Sequence, residues 1–191
     1  SGCTIIVISK VDILENINYY FKNAVKKRCL NTDREVCCLL SGGLDSSLVC
    51  AIANKYAKHK LKTFSIGLKN SVDIINARKV ATFLNTEHHE VIVSEDDFFN
   101  AIPEVIENIE SYDTTTVRAS VGNYLISKYI SETTDCKVVL NGDGADELSG
   151  GYLYFSKCNE PLEFDRECKR LLQNIHYFDV LRSDKSISSN G

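Results

Sequence analysis

The chain has 191 residues, 43% hydrophobic and 25% charged, with a net charge of −4. That is the make-up of one water-soluble domain, long enough to bury roughly 70% of its unfolded surface. The acidic balance implies no nucleic-acid face, and the apolar stretch at 4–8 is too short for a signal peptide or a membrane span. A cytoplasmic protein is the expectation.

Ile13, Ile17, Phe21 and Ala24 recur at helical spacing and predict a first helix over residues 11–29. The basic cluster Lys26, Lys27 and Arg28 reads as its solvated face. Residues 36–40 are continuously apolar, as in a strand buried on both faces. Directly after them come Ser41, Gly42, Gly43, Leu44, Asp45, Ser46 and Ser47, then an amphipathic run predicting helix from 46 to about 59. Two glycines flanked by hydroxyls at a strand-to-helix junction make a loop whose amides close around an anion. The helix N-terminus adds free N–H groups and the positive end of its dipole. The general phosphate-loop pattern needs a Lys after its second Gly; none stands here, so this is a different cradle. In purely structural terms the same segment is a Gly-rich turn capped by Ser46.

Residues 62–68 alternate as a strand, 72–84 read as helix, and 87–93 as a third strand in which His88 and His89 point to opposite faces. Ser94 with Asp97 three positions on predicts a capped helix over 95–109. A further helix spans 117–131 and a fourth buried strand 137–140. Residues 141–151 read as a loop, 160–183 as a final helical region, and 183–191 as a polar tail with no packing pattern. Alternating strands and helices with short links predict an α/β fold: a parallel sheet sandwiched by helices, with ligand at the carboxyl ends of the strands. The eight cysteines include no C-x-x-C pair. Adjacent Cys37 and Cys38 fall in a strand and Cys50 in a helix, so free buried thiols fit better than a disulfide scaffold. The four histidines form no metal-ligand pattern with them.

The loop after the fourth strand reads Asn141, Gly142, Asp143, Gly144, Ala145, Asp146, Glu147, placing three carboxylates within five positions on the same sheet rim as the Ser41 loop. Beside a polyphosphate such carboxylates repel unless Mg²⁺ or a cationic partner is present; without a ligand they are an Asx-rich turn with a helix cap. Ser-Gly-Gly-x-Asp-Ser at 41–46 resembles the pyrophosphate loop of the N-type ATP pyrophosphatases. Taken together, the segments at 40–47, 63–68, 87–90, 112–120, 141–155 and 178–182 resemble, in family order, the synthetase domain of glutamine-dependent asparagine synthetases.

That resemblance implies an adenine-nucleotide α-hydrolase-like (PP-loop) fold and a two-step ligase. Aspartate is adenylated by Mg·ATP to β-aspartyl-AMP with release of pyrophosphate, and ammonia then displaces AMP to give asparagine. It implies that Ser41, Gly42, Gly43, Asp45, Ser46 and Ser47 hold pyrophosphate, with Asp45 acting through Mg²⁺. Leu40 and Ile66 would contact the adenosine, Asn141 and Gly142 the nucleotide. Asp143 would support acyl-adenylate formation; Asp146 and Glu147 would take Mg²⁺ or the substrate amino group. Thr115, Thr116 and Arg118 would contact substrate or pyrophosphate, Arg118 being otherwise an exposed helix-start residue.

Three departures from the family accompany these implications. The family carries Glu at the position of Asp143 and Ser at that of Asn141; the shorter carboxylate reaches about 1.5 Å less, a misplacement that costs on the order of a hundredfold in rate. No glutaminase-like segment is present, and Cys3 does not match that domain's N-terminal nucleophile. The family continues past Gly191 with further helices and a lysine. The expected organisation is a scar or linker remnant at 1–10, an incomplete ATP-pyrophosphatase domain at 11–182 and a tail at 183–191. The expected partners are ATP, aspartate and ammonia, with no nucleic acid and no membrane, and with a homodimer left open. The alternatives are a β-lactam synthetase-like ligase of the same fold, disfavoured by the Asp146–Glu147 pair, a transfer-RNA-modifying pyrophosphatase, disfavoured by acidic charge and cysteine placement, and a non-catalytic nucleotide-binding module.

Overall fold

The computed structural model describes residues 9–179 and 185–190. Cys3, the apolar residues 4–8, positions 180–182 of the last family-like segment and Gly191 lie outside them. The elements in order are α1 (Lys10–Leu30), β1 (Glu35–Leu39), α2 (Leu44–Ala53), β2 (Lys62–Gly67), α3 (Val72–Leu84), β3 (Glu87–Ile92), α4 (Glu95–Ile109), α5 (Thr114–Thr133), β4 (Cys136–Leu140), α6 (Ala145–Ser149), a 3-10 turn at Leu153–Lys157, α7 (Pro161–Asp179) and α8 (Lys185–Ser188).

The sheet runs β3-β2-β1-β4, every pair parallel. The chain therefore builds outward from β1 to β3, then crosses back to add β4 on the other side. That reversal between β1 and β4 opens a crevice at the carboxyl ends, where open α/β sheets take their ligands. Strand side chains alternate between two apolar layers. Cys38 and Leu40 pack with Cys50, Ile52 and Ala53 of α2, Ala77 and Ala81 of α3, and Val25 and Cys29 of α1. Cys37, Phe64 and Cys136 pack under Ile126 and Ile130 of α5, which α4 backs through Val105 and Ile109. Phe64 is fully buried, worth about 1.5–3 kcal/mol over an exposed ring. The thiols of Cys37 and Cys38 are free. Each donates its S–H to a neighbouring sulfur (Cys136 and Cys50 respectively), and that bond together with burial holds each well above the ordinary range.

Several expectations needed correction. The buried stripe of α1 is Phe21, Val25 and Cys29, not Ile13, Ile17 and Ala24, which are exposed. Helix α2 begins at Leu44 and ends at Ala53 rather than near residue 59. The Asn54 amide caps the end of α3 instead, donating to Leu84 O at 2.9 Å. The loop at 141–151 contains the short helix α6. The region read as an unpacked tail includes α8, which packs on α5 and α4; Ser186 is buried, and Asn190 donates to Tyr124 O at 3.3 Å.

Candidate functional site

Strand pairing ends where Leu40 N donates to Phe64 O at 2.8 Å, and Ser41 turns the chain out of the sheet. Gly42 sits at φ +81, and a Cβ there would lie 2.5 Å from Ala77 N on α3, so the turn needs glycine for both its conformation and its space. Gly43 is the N-cap of α2, with extended backbone and no side-chain cap. The first amides of α2 are thus not satisfied by a cap and face the rim with the positive end of the dipole. Ser46 is not the N-cap that the purely structural alternative made it. Its buried Oγ accepts from Ser41 N at 3.3 Å, lies 3.0 Å from Ser41 Oγ and donates to Gly43 O at 3.4 Å, tying the two ends of the loop together. Ser41 Oγ in turn accepts from Gly43 N at 3.3 Å. Ser47 Oγ is buried with no hydrogen-bond partner.

The second loop starts from β4, whose Leu140 pairs with Cys38. Asn141 donates from Nδ2 to Asp143 Oδ2 at 2.9 Å and accepts from Asp143 N at 3.4 Å, a closed local turn. A Cβ on Gly142 would lie 2.9 Å from Ser46 N and 3.2 Å from the Asp45 Cβ, so the backbone of this loop rests directly on the start of α2. Gly144, at φ +88, begins α6 and presents Asp146 and Glu147. A side chain at Gly151 would overlap the Asp146 carboxylate, and Tyr152 Oη donates to Glu147.

The two loops close one cavity of about 490 Å³ at the strand-order reversal. Leu40, Ser41, Gly43, Asp45, Ser46, Ile66, Asn141, Gly142, Asp143, Asp146 and Glu147 all line it. Gly42 and Ser47 belong to the loop but stand behind the lining. Thr115, Thr116 and Arg118 stand on the first turn of α5, outside it. Thr116 is occupied with the helix cap, donating from N and Oγ1 to Asp113 at 2.8 Å each, while Thr115 and Arg118 are exposed. Among the lining residues that had not been expected, Ser65, Asp73, Asn123 and Tyr152 carry polar side chains. Asn123, a poor helix former in mid-helix, was a legible signal. Asp73 was not, because an acid in the first turn of α3 reads as a dipole partner.

Among the described residues, no three His, Cys, Asp or Glu side chains converge as a metal cage. Asp45 and Asp146, one from each loop, line the same cavity, and such carboxylates suit a hard divalent cation that takes one or two of them and draws its remaining ligands from phosphates. No helix among the described residues is long and apolar enough to cross a membrane.

The asparagine synthase family model matches residues 16–183. The chain is 49% identical over 184 residues to the glutamine-hydrolyzing asparagine synthetase of Mus musculus, and likewise to that of Homo sapiens. Each match covers 94% of this chain but 33% of the relative, so the chain spans about a third of their length. Among solved structures, an NH3-dependent NAD synthetase from Campylobacter jejuni superposes with a TM-score of 0.51 at 15% identity, over 91% of this chain and 90% of that one, and so shares the fold.

Proposed function

Since the chain belongs to the asparagine synthase family, we propose that it carries the ATP-cleaving, amide-forming half of that chemistry. The β-carboxylate of aspartate attacks the α-phosphorus of ATP. A P–O bond forms to the carboxylate while the bond to the β-phosphate breaks, giving β-aspartyl-AMP and pyrophosphate. Ammonia then attacks the acyl carbon, AMP leaves, and asparagine results. A bare carboxylate lacks a leaving group; adenylation supplies one, so the protein's task is positioning and charge stabilisation.

The observation that supports this reading is the junction of the two loops, with Gly142 seated on the N-terminus of α2 inside one cavity. In the proposed arrangement the amides and hydroxyls of residues 41–47 receive the departing pyrophosphate. Leu40 and Ile66 flank the nucleoside, and Asn141 and Gly142 hold the nucleotide from β4. Asp45 and Asp146 would hold Mg²⁺, which neutralises charge on the phosphates. Asp143 faces the reacting carboxylate, while Glu147, Thr115, Thr116 and Arg118 address substrate. In this reading residues 1–191 take no part in the glutamine hydrolysis that the relatives' name includes.

The test is aspartate-dependent exchange of labelled pyrophosphate into ATP in the full polypeptide. Exchange is expected, and Asp45→Asn is expected to abolish it with the fold retained, because a rim residue contributes little packing. Nucleotide binding without exchange favours a non-catalytic module, for which Asp143, already engaged by Asn141, is the specific motive.

A further inference from the structure

On the α3-covered side of the sheet, β2 and β3 enclose a polar chain within apolar packing. Thr86 Oγ1 lies 2.8 Å from Thr63 Oγ1, which lies 3.0 Å from His88 Nδ1; His88 Nε2 lies 3.2 Å from Ser65 Oγ. The three hydroxyl residues are buried and His88 is partly buried. Ser65 also lines the nucleotide cavity, next to Ile66. The chain therefore connects the interior of the sheet to the wall where the nucleoside is proposed to sit.

A neutral imidazole has one N–H donor and one acceptor nitrogen. In the tautomer protonated on Nδ1, that nitrogen donates toward Thr63, whose Oγ1 lies 3.0 Å away. Nε2 is then the acceptor, and Ser65 must donate its hydroxyl hydrogen to it. Ser65 is left with lone pairs alone for the cavity. In an imidazolium both nitrogens donate; the Ser65 hydrogen is displaced from the ring, and the hydroxyl turns from acceptor to donor on its cavity side.

We propose that His88 is a positioning residue that fixes Ser65 as a hydrogen-bond acceptor at the nucleoside end of the cavity, ready to receive a ligand amine or hydroxyl. The inference rests on the nucleotide reading of that cavity.

The charged surroundings of His88 are defined. Burial pushes its pKa below the ordinary value; Glu90 on the same strand opposes that shift, while neighbouring His89 and Arg78 of α3 reinforce it. Arg78 holds Glu90 through two contacts of 2.6 and 2.7 Å, and β2 presents the hydroxyls of Thr63 and Ser65. The ring is neutral near pH 7 and charges only in acid.

The experiment titrates Mg·ATP into the full protein across acid to mildly alkaline pH, comparing wild type with His88→Gln, which keeps a donor and an acceptor but does not titrate. Wild-type affinity is expected to fall on acidification by about fivefold more than that of the variant, the worth of one hydrogen bond; the titration of ATP itself is common to both. Superimposable profiles overturn the proposal. Independently of any nucleotide, ¹⁵N shifts of the His88 ring should report the Nδ1-protonated tautomer above neutrality; the other tautomer, or an imidazolium, overturns it. If His88→Gln does not fold, Ser65→Ala replaces it and should give the same flattened profile, while an unflattened one overturns the proposal. A wild-type protein that binds no Mg·ATP at any pH removes the nucleotide reading and the ligand half of this proposal, and the ring shifts still decide the His88–Ser65 half.

Discussion

Gly42 and Gly43 look alike in the sequence, yet they do different work. Gly42 is confined by a positive φ and by α3, whose backbone occupies the space a side chain needs. Gly43 has φ −70, and the nearest atom to a Cβ built there is Ser41 Oγ at 3.4 Å. Gly42→Ala is expected to cost about 1–3 kcal/mol in urea unfolding and to abolish Mg·ATP binding, whereas Gly43→Ala should leave stability nearly unchanged. The motif was readable as an anion cradle because its glycines and hydroxyls are contiguous. Which glycine is indispensable was not, since the obstacle comes from Asn76 and Ala77 on another element. Ser65 and Asp73 were hidden for the same reason: their role depends on where β2 and α3 end, not on their neighbours in the chain.

Elements with a local signature were legible. The run at 36–40, the helix at 72–84 and the Ser94–Asp97 capping box all formed where residue types and spacing placed them. Errors arose where apolar periodicity outlasted the helix. Tyr56 and Ala57 still pack on the core, but through turns bonded to Ala53, so the pattern carried the expected α2 too far. Between α4 and α5 the Glu104 carboxylate accepts from Tyr124 Oη at 2.8 Å and from Lys128 Nζ at 3.1 Å. These bonds hold Glu104 below its ordinary 4.5, while burial, and after it the bond to Glu104, push Tyr124 up to about 12. A depressed carboxylate contributes stability that is present above the unfolded value and lost as pH falls through the folded one. The urea midpoint of wild type should therefore drop below about pH 4.5 more steeply than that of Glu104→Gln.

The fold class followed from the alternation of strands and helices, and its order β3-β2-β1-β4 puts the reversal beside the first motif. The direction in which β4 returns is set by packing of α4 and α5 over the Phe64 face, which no single segment encodes. The cavity therefore depends on two stretches about one hundred residues apart in the chain, joined where Gly142 rests on α2. Nucleotide that touches both stretches couples their opening, because a ligand stabilises only the state that binds it. Mg·ATP is expected to slow amide hydrogen exchange in residues 41–47 and 141–147 together and by similar factors; protection confined to one stretch would refute the shared site.

The seat of Gly142 on α2 also means that the earlier loop depends on the later one for a wall. Until the last strand has docked, the earlier loop is an open ledge with one wall missing, and loop-closure entropy over that long separation opposes its completion. On the proposed nucleotide reading, ATP would be a clasp for a late-arriving strand before it is a reactant, and a cell's supply of it would help decide how much of this chain reaches its finished shape.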